Sequence, residues 1–232
     1  MKTKAVIFDL DGTLLNTLED LADSCNMTLK QMGYPERTLD EVRQFVGNGI
    51  GKLIERALPG GTENPDYEKG FELIKKNYGS NWKNKTRAYD GIPELLEKLN
   101  AKGIKIGIVS NKPDPQVKEL AELYFSKYVS EQTAVGETQG IRRKPAPDTV
   151  LKVMDILGVS ASETVYSGDS DVDIDTAKNA GIPCISVCWG FRSRQFLIEH
   201  GASILVEKPS EFIDNLKKCQ FRLFRFVSFF CL

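Results

Sequence analysis

Two aspartates, Asp9 and Asp11, stand one residue apart in the run "AVIFDLDGTLLNT" (5–17). Successive side chains of a strand point to opposite faces, so both carboxylates can share a side with Leu10 turned away. Burying one ionised carboxylate without a partner is costly, and a second beside it adds like-charge repulsion. Gly12 and Thr13 supply a turn as the chain leaves the run. Taken alone, such a pair could equally cap a helix or decorate a turn. Other strand ends carry matching chemistry. "KIGIVS" (105–110) ends on Ser110 with Asn111 next, and "TVYSG" (164–168) is followed by Asp169, Asp171 and Asp173. "RRKPAPD" (142–148) brings Lys144 into a proline-stiffened turn. In open α/β sheets, ligands collect outside the carboxyl ends of the strands. Carboxylates, a hydroxyl and a lysine at one such edge would form a single cluster. A hard divalent cation with oxygen ligands, Mg²⁺ above all, makes three carboxylates tolerable there.

The elements that must position these groups alternate along most of the chain. Strand candidates are 4–10, 105–110, 164–168, 184–189 and a weaker 203–206, with a further short strand expected around Tyr128 to Ser130. Helical patterns lie between them in 91–103, 113–124, 147–159, 173–181 and 192–201, several ending in glycine. Strands apolar on both faces and separated by helices predict a parallel sheet covered on each side, a doubly wound, Rossmann-like α/β architecture. From Asn16 to Lys85 the pattern is helical only. That stretch is too long for a crossover and predicts an inserted helical subdomain. The expected division is therefore an α/β core from 1–15 and 86–220, a helical insertion 16–85, and a tail 221–232. The tail, "FRLFRFVSFFCL", departs from the preceding composition and is given no function.

The 232 residues are 41% hydrophobic and 27% charged, an ordinary globular balance. Lysine plus arginine number 31 against 32 aspartate plus glutamate, so no net charge draws the chain to nucleic acid or to an anionic membrane. Five scattered cysteines lack the paired spacing of a zinc site and read as buried free thiols in a reducing compartment. Asp9 and Asp11 interrupt the N-terminal apolar run, and no segment approaches the roughly 20 apolar residues of a membrane span, so a cytoplasmic protein is expected.

"DLDGT", "VSN", "KPAPD" and "GDSDVD", in this order and spacing, resemble the four motifs of the haloacid dehalogenase-like hydrolase superfamily, from about Lys4 to Lys218. "FVGNGIGKLIERAL", "VSNKP" and "WGF" are similar to bacterial phosphoglycolate phosphatases. The resemblance makes the helical interval a cap that reads the rest of the substrate. It implies Asp9 as nucleophile and Asp11 as general acid and base. It implies Mg²⁺ held by Asp9, the backbone carbonyl of Asp11 and Asp169, with Asp173 steadying the metal's waters or Lys144. Ser110, the Asn111 backbone and Lys144 would hold the phosphoryl oxygens. Members resembling dehalogenases or phosphonatases lack an acid two residues after the nucleophile, so Asp11 favours phosphatase chemistry on a small phosphorylated metabolite. Phosphoglycolate heads the candidates. Sugar phosphates, nucleotides, pyrophosphate, a phosphomutase reaction of the β-phosphoglucomutase type and a non-catalytic binding module are the alternatives. Monomer and dimer both remain open.

Other residues carry two readings each. Gly47, Asn48 and Gly49 precede an apolar helix and could present N–H groups to a carboxylate or simply form a helix–helix turn. Arg56 could reach a substrate carboxylate or lie on a solvated face. Asp171 and Asp175 read as solvated helix-start residues. His200, at a helix end, reads as capping or surface; Trp189 and Phe191 either border the site or pack in the core.

Overall fold

The computed structural model describes residues 2–227, with side chains through Cys219. The chain divides into two compact units, one of Met1–Leu14 with Ala88–Leu232 and one of Leu15–Arg87.

The first unit is built on a six-stranded parallel sheet in the order β5-β4-β1-β6-β7-β8. The strands are β1 (Ala5–Phe8), β4 (Lys105–Pro113), β5 (Ala134–Glu137), β6 (Thr164–Gly168), β7 (Cys184–Val187) and β8 (Leu205–Val206). Every residue of β1 is buried, as a central strand covered on both faces requires. Helices α5 (Ile92–Ala101), α6 (Asp114–Phe125), α7 (Asp148–Leu157), α8 (Asp171–Ala180), α9 (Arg194–Glu199) and α10 (Phe212–Val227) connect and flank them. Ile7, Val109, Val135, Val150, Val153, Met154, Tyr166 and Ala177 pack into one buried cluster between sheet and helices. On the α10 side, the Phe212 ring lies 5.4 Å from that of Phe8. α7 and α8 end at Gly158 and Gly181, each in the left-handed conformation. This is the doubly wound α/β architecture the periodicity predicted.

Register sets the site. Phe8 lies opposite Ile108 of β4 and Ser167 of β6, so the chain past each of these strands emerges along one sheet edge. Two strand expectations are corrected. No strand forms at 128–130: the Tyr128 amide turns back to Phe125, and Ser130 and Thr133 close a capping box over a 3₁₀ turn. The edge strand begins instead at Ala134. The strand expected to end at Ser110 continues to Pro113 with a register shift against β5 between Val109 and Pro113, which places Ser110, Asn111 and Lys112 within an irregular strand end.

The second unit carries α1 (Leu18–Met32), α2 (Leu39–Phe45), α3 (Ile50–Ala57) and α4 (Tyr67–Asn81). Short strands β2 (Leu15–Asn16) and β3 (Arg87–Ala88) pair where the chain enters and leaves it. Asp20, buried in the first turn of α1, accepts from the Lys85 amide at 2.9 Å, the Thr86 amide at 2.9 Å and the Thr86 hydroxyl at 2.8 Å. Of the cysteines, Cys25 and Cys219 are buried, whereas Cys184 and Cys188 are only half-buried, which corrects the uniform burial expected. Cys231 and the end of the tail from 228 lie outside the described residues. No helix among the described residues is long and apolar enough to cross a membrane.

Candidate active site

Asp9 follows directly on β1, where its amide donates to the Ser167 carbonyl at 2.8 Å. Its carboxylate Oδ1 accepts from Lys144 Nζ at 2.6 Å. The same ammonium donates to Asp173 Oδ1 at 2.8 Å and to the Tyr166 hydroxyl at 3.2 Å, and that hydroxyl donates to Asp173 at 3.0 Å. The second oxygen of Asp173 accepts from the Ser170 amide and hydroxyl, so this carboxylate caps α8 and fixes Lys144 at once. Asp169 leaves the end of β6. Its Oδ2 accepts from the Phe191 amide at 2.6 Å and its Oδ1 from the Thr13 hydroxyl at 3.3 Å. Glycine is required on both sides of it: a Cβ at Gly12, whose φ is +88°, or at Gly190 would overlap the Asp169 side chain.

Asp11 is held differently. Its Oδ1 accepts from Lys112 Nζ at 2.8 Å and its Oδ2 from Ser110 Oγ at 3.3 Å. Ser110 Oγ in turn accepts from the Lys112 amide at 3.1 Å. The Asn111 side chain is turned to the Lys144 carbonyl, 3.1 Å away, and so braces the turn that carries the lysine.

Burial pushes the Asp9 carboxyl well above the usual carboxylate range, even though Lys144 pulls it down. Burial and then Asp173 push Asp169 up to about 7, opposed by the Phe191 amide and Arg192. Burial by itself would discharge Lys144, but Asp173 and Asp9 outweigh it and hold its ammonium charged. Ionised, Asp9, Asp11, Asp169 and Asp173 carry two more charges than Lys112 and Lys144 compensate. Carboxylate oxygens of Asp9, Asp169 and Asp173 lie within 4.8 Å of one another. An all-oxygen donor set whose negative charge exceeds that of its two buried lysines, with Arg192 acting on Asp169 as well, fits a hard divalent cation. Asp173 is already committed to Lys144, Tyr166 and Ser170, which leaves Asp9 and Asp169 as the carboxylates best placed to hold one.

The family model for haloacid dehalogenase-like hydrolases matches residues 6–187, most of this geometry included. The chain belongs to that family. A phosphoglycolate phosphatase of Pseudomonas savastanoi pv. phaseolicola is 33% identical over 224 residues, 93% of this chain and 78% of its own. The phosphoglycolate phosphatase of Aquifex aeolicus is 34% identical over 188 residues, 81% of this chain and 86% of its own. A crystal structure from Lactobacillus delbrueckii subsp. bulgaricus superposes with a TM-score of 0.87 at 34% identity, covering 93% of this chain and 99% of that one.

Within this hydrolase, Asp9, Asp11, Ser110, Asn111, Lys144, Asp169 and Asp173 all gather at one edge of the sheet of the first unit. Gly47, Asn48 and Gly49 belong to the second unit. There Arg56 is exposed, as the solvated-face reading had it, and donates to the Phe45 carbonyl at 2.6 Å and to Asn48 Oδ1 at 2.9 Å, which braces its own loop. Trp189 Nε1 donates to the Thr13 carbonyl at 2.9 Å, and Phe191 serves through its amide. His200 closes α9 against the Phe196 carbonyl and is exposed. Asp175 is exposed and Asp171 half-buried. Sequence reading missed Lys112 and Tyr166. A tyrosine inside a strand buried on both faces needs a partner for its hydroxyl, and that was the available signal. Lys112 offered one too, as the residue two past Ser110 on the same strand end.

Proposed function

We propose that this hydrolase is a Mg²⁺-dependent phosphomonoester phosphatase working through an aspartyl-phosphate on Asp9, with phosphoglycolate as its substrate. The observation that carries the reading is the buried cluster in which Lys144 bridges Asp9 and Asp173 while Asp169 stands beside them. The names of the relatives support phosphoglycolate.

In the first step, a carboxylate oxygen of Asp9 attacks phosphorus, the phosphorus–ester oxygen bond breaks, and Asp11 gives its proton to the departing alkoxide. In the second, water attacks the same phosphorus, Asp11 takes the water's proton, and phosphate departs with Asp9 restored. Lys144, the Ser110 hydroxyl and the Asn111 backbone N–H hold the phosphoryl oxygens on which negative charge accumulates. Bound at Asp9, the Asp11 carbonyl and Asp169, the cation would screen the nucleophile from the anionic phosphoryl group. Asp173 works indirectly, by keeping the Lys144 ammonium in place. Selection of the leaving group is assigned to the helical unit, with the turn at Gly47, Asn48 and Gly49 as the segment to vary.

The test is phosphate release across a panel of phosphorylated metabolites, with Mg²⁺ and with chelator. Phosphoglycolate is expected to lead the panel, and chelation to abolish release. Turnover that survives chelation removes the metal from the account. A sugar bisphosphate that gives isomer instead of free phosphate makes the chain a mutase.

A further inference from the structure

We infer that Lys112 is a positioning residue for Asp11. Its ammonium fixes the Asp11 carboxylate in the orientation from which a proton can be given to the leaving oxygen and later taken from water. The inference deepens the proposed mechanism and rests on the acid–base role given there to Asp11.

Three observations carry it. The Lys112 side chain is 3% exposed, and its ammonium sits 2.8 Å from Asp11 Oδ1. A lysine buried this far loses most of its hydration, a cost sustained when a charge partner replaces the water. Asp11 itself is 20% exposed just past β1, where a short carboxylate side chain has rotamer freedom to lose. The third observation is the irregular end of β4. The Lys112 amide donates to Ser110 Oγ, and Ser110 Oγ donates to the second oxygen of Asp11. Both carboxylate oxygens are thereby held by residues two apart on one irregular strand end; once the single Ser110 proton turns to a phosphoryl oxygen, the Lys112 ammonium is the contact that stays on Asp11. Lys144 has the contrasting arrangement: it holds Asp9 and Asp173 and makes no hydrogen bond to Asp11. The two buried lysines divide the carboxylates between them, one for the nucleophile and one for the proton carrier.

A role exerted through Asp11 differs in kinetics from a role on the phosphoryl group. With p-nitrophenyl phosphate the leaving group departs without needing a proton, so only the attack of water depends fully on Asp11. Lys112→Met is expected to lower kcat on the order of 10²-fold. KM should change little, and nitrophenol should now appear in a burst approaching one per active site. In an Asp11→Asn background the same substitution is expected to change kcat by less than about threefold, because the group it positions is already gone. Far-UV circular dichroism and thermal melting establish that the variants fold, and Lys112→Gln carries the same test if the methionine variant does not. Equal losses in both backgrounds, or a fall in burst rate together with steady-state rate, overturn the inference and place Lys112 on the phosphoryl group or in the structure alone. If Asp11→Asn itself turns over at the native rate, the acid–base reading of Asp11 fails first, and the result is distinguishable from failure of Lys112.

Discussion

At the scale of single residues, the two acids of the DLDGT stretch are separated by their partners. Asp9 has a buried lysine shared with Asp173, whereas Asp11 is partly exposed beside a different lysine and a serine. One environment suits a carboxylate that must attack, the other a carboxylate that must exchange protons with a leaving group and with water. Replacing Asp9 by Asn should reduce phosphate release to background while the protein stays folded. Without divalent cation, the variant should also melt a few degrees higher than the native chain, since one unit of uncompensated charge has left a buried cluster. Differential scanning calorimetry in chelator measures this, and a lower melting temperature would show that Lys144 needs Asp9 more than the cluster suffers from it. Cys25 offers a separate check. Burial pushes its thiol up to about 12, so iodoacetamide at pH 8 should leave it unmodified in the native protein and modify it in urea. Modification at equal rates in both states would contradict its buried placement.

At the scale of elements, β1, β4 and β6 were legible in the sequence because buried parallel strands are apolar without interruption and their polar exits are abrupt. The edge of the sheet was less legible. Ala134–Glu137 is short and offers little apolar pattern, and the Tyr128 to Ser130 stretch that looked strand-like turns back on itself through a capped 3₁₀ turn. Lys112 and Tyr166 escaped notice for a related reason. Their chemistry depends on which distant group meets them, which periodicity does not encode. In the helical unit, the buried Asp20 carboxylate ties α1 to the returning segment at Lys85 and Thr86. Asp20→Ala leaves the buried Thr86 amide and the part-buried Lys85 amide without this acceptor and should cost about 2–4 kcal/mol in urea denaturation. A loss under about 0.5 kcal/mol would mean that water replaces the carboxylate at no penalty.

At the scale of the whole molecule, a net charge of −1 conceals a concentrated buried charge. The folded protein without cation should therefore respond to pH through that cluster. Asp169 is raised in the fold to about 7 from an ordinary value near 4, so the native state holds a proton that the unfolded chain has already released. Stability without cation should fall as pH rises between those values, and be lowest once Asp169 has ionised. Mg²⁺ should restore it most strongly above pH 7. Melting temperatures from pH 5 to 8, in chelator and in excess Mg²⁺, measure both trends; a rise with pH in chelator would refute this charge balance.

The most direct measurement is chemical. Asp11→Asn protein, mixed with substrate and Mg²⁺, is quenched in acid, and its peptides are analysed by mass spectrometry. The account predicts one phosphoryl group on the peptide containing Asp9, carried by that aspartate and released by hydroxylamine as an acyl phosphate would be. Phosphoryl found on any other residue, or turnover with no covalent adduct under single-turnover conditions, would contradict it.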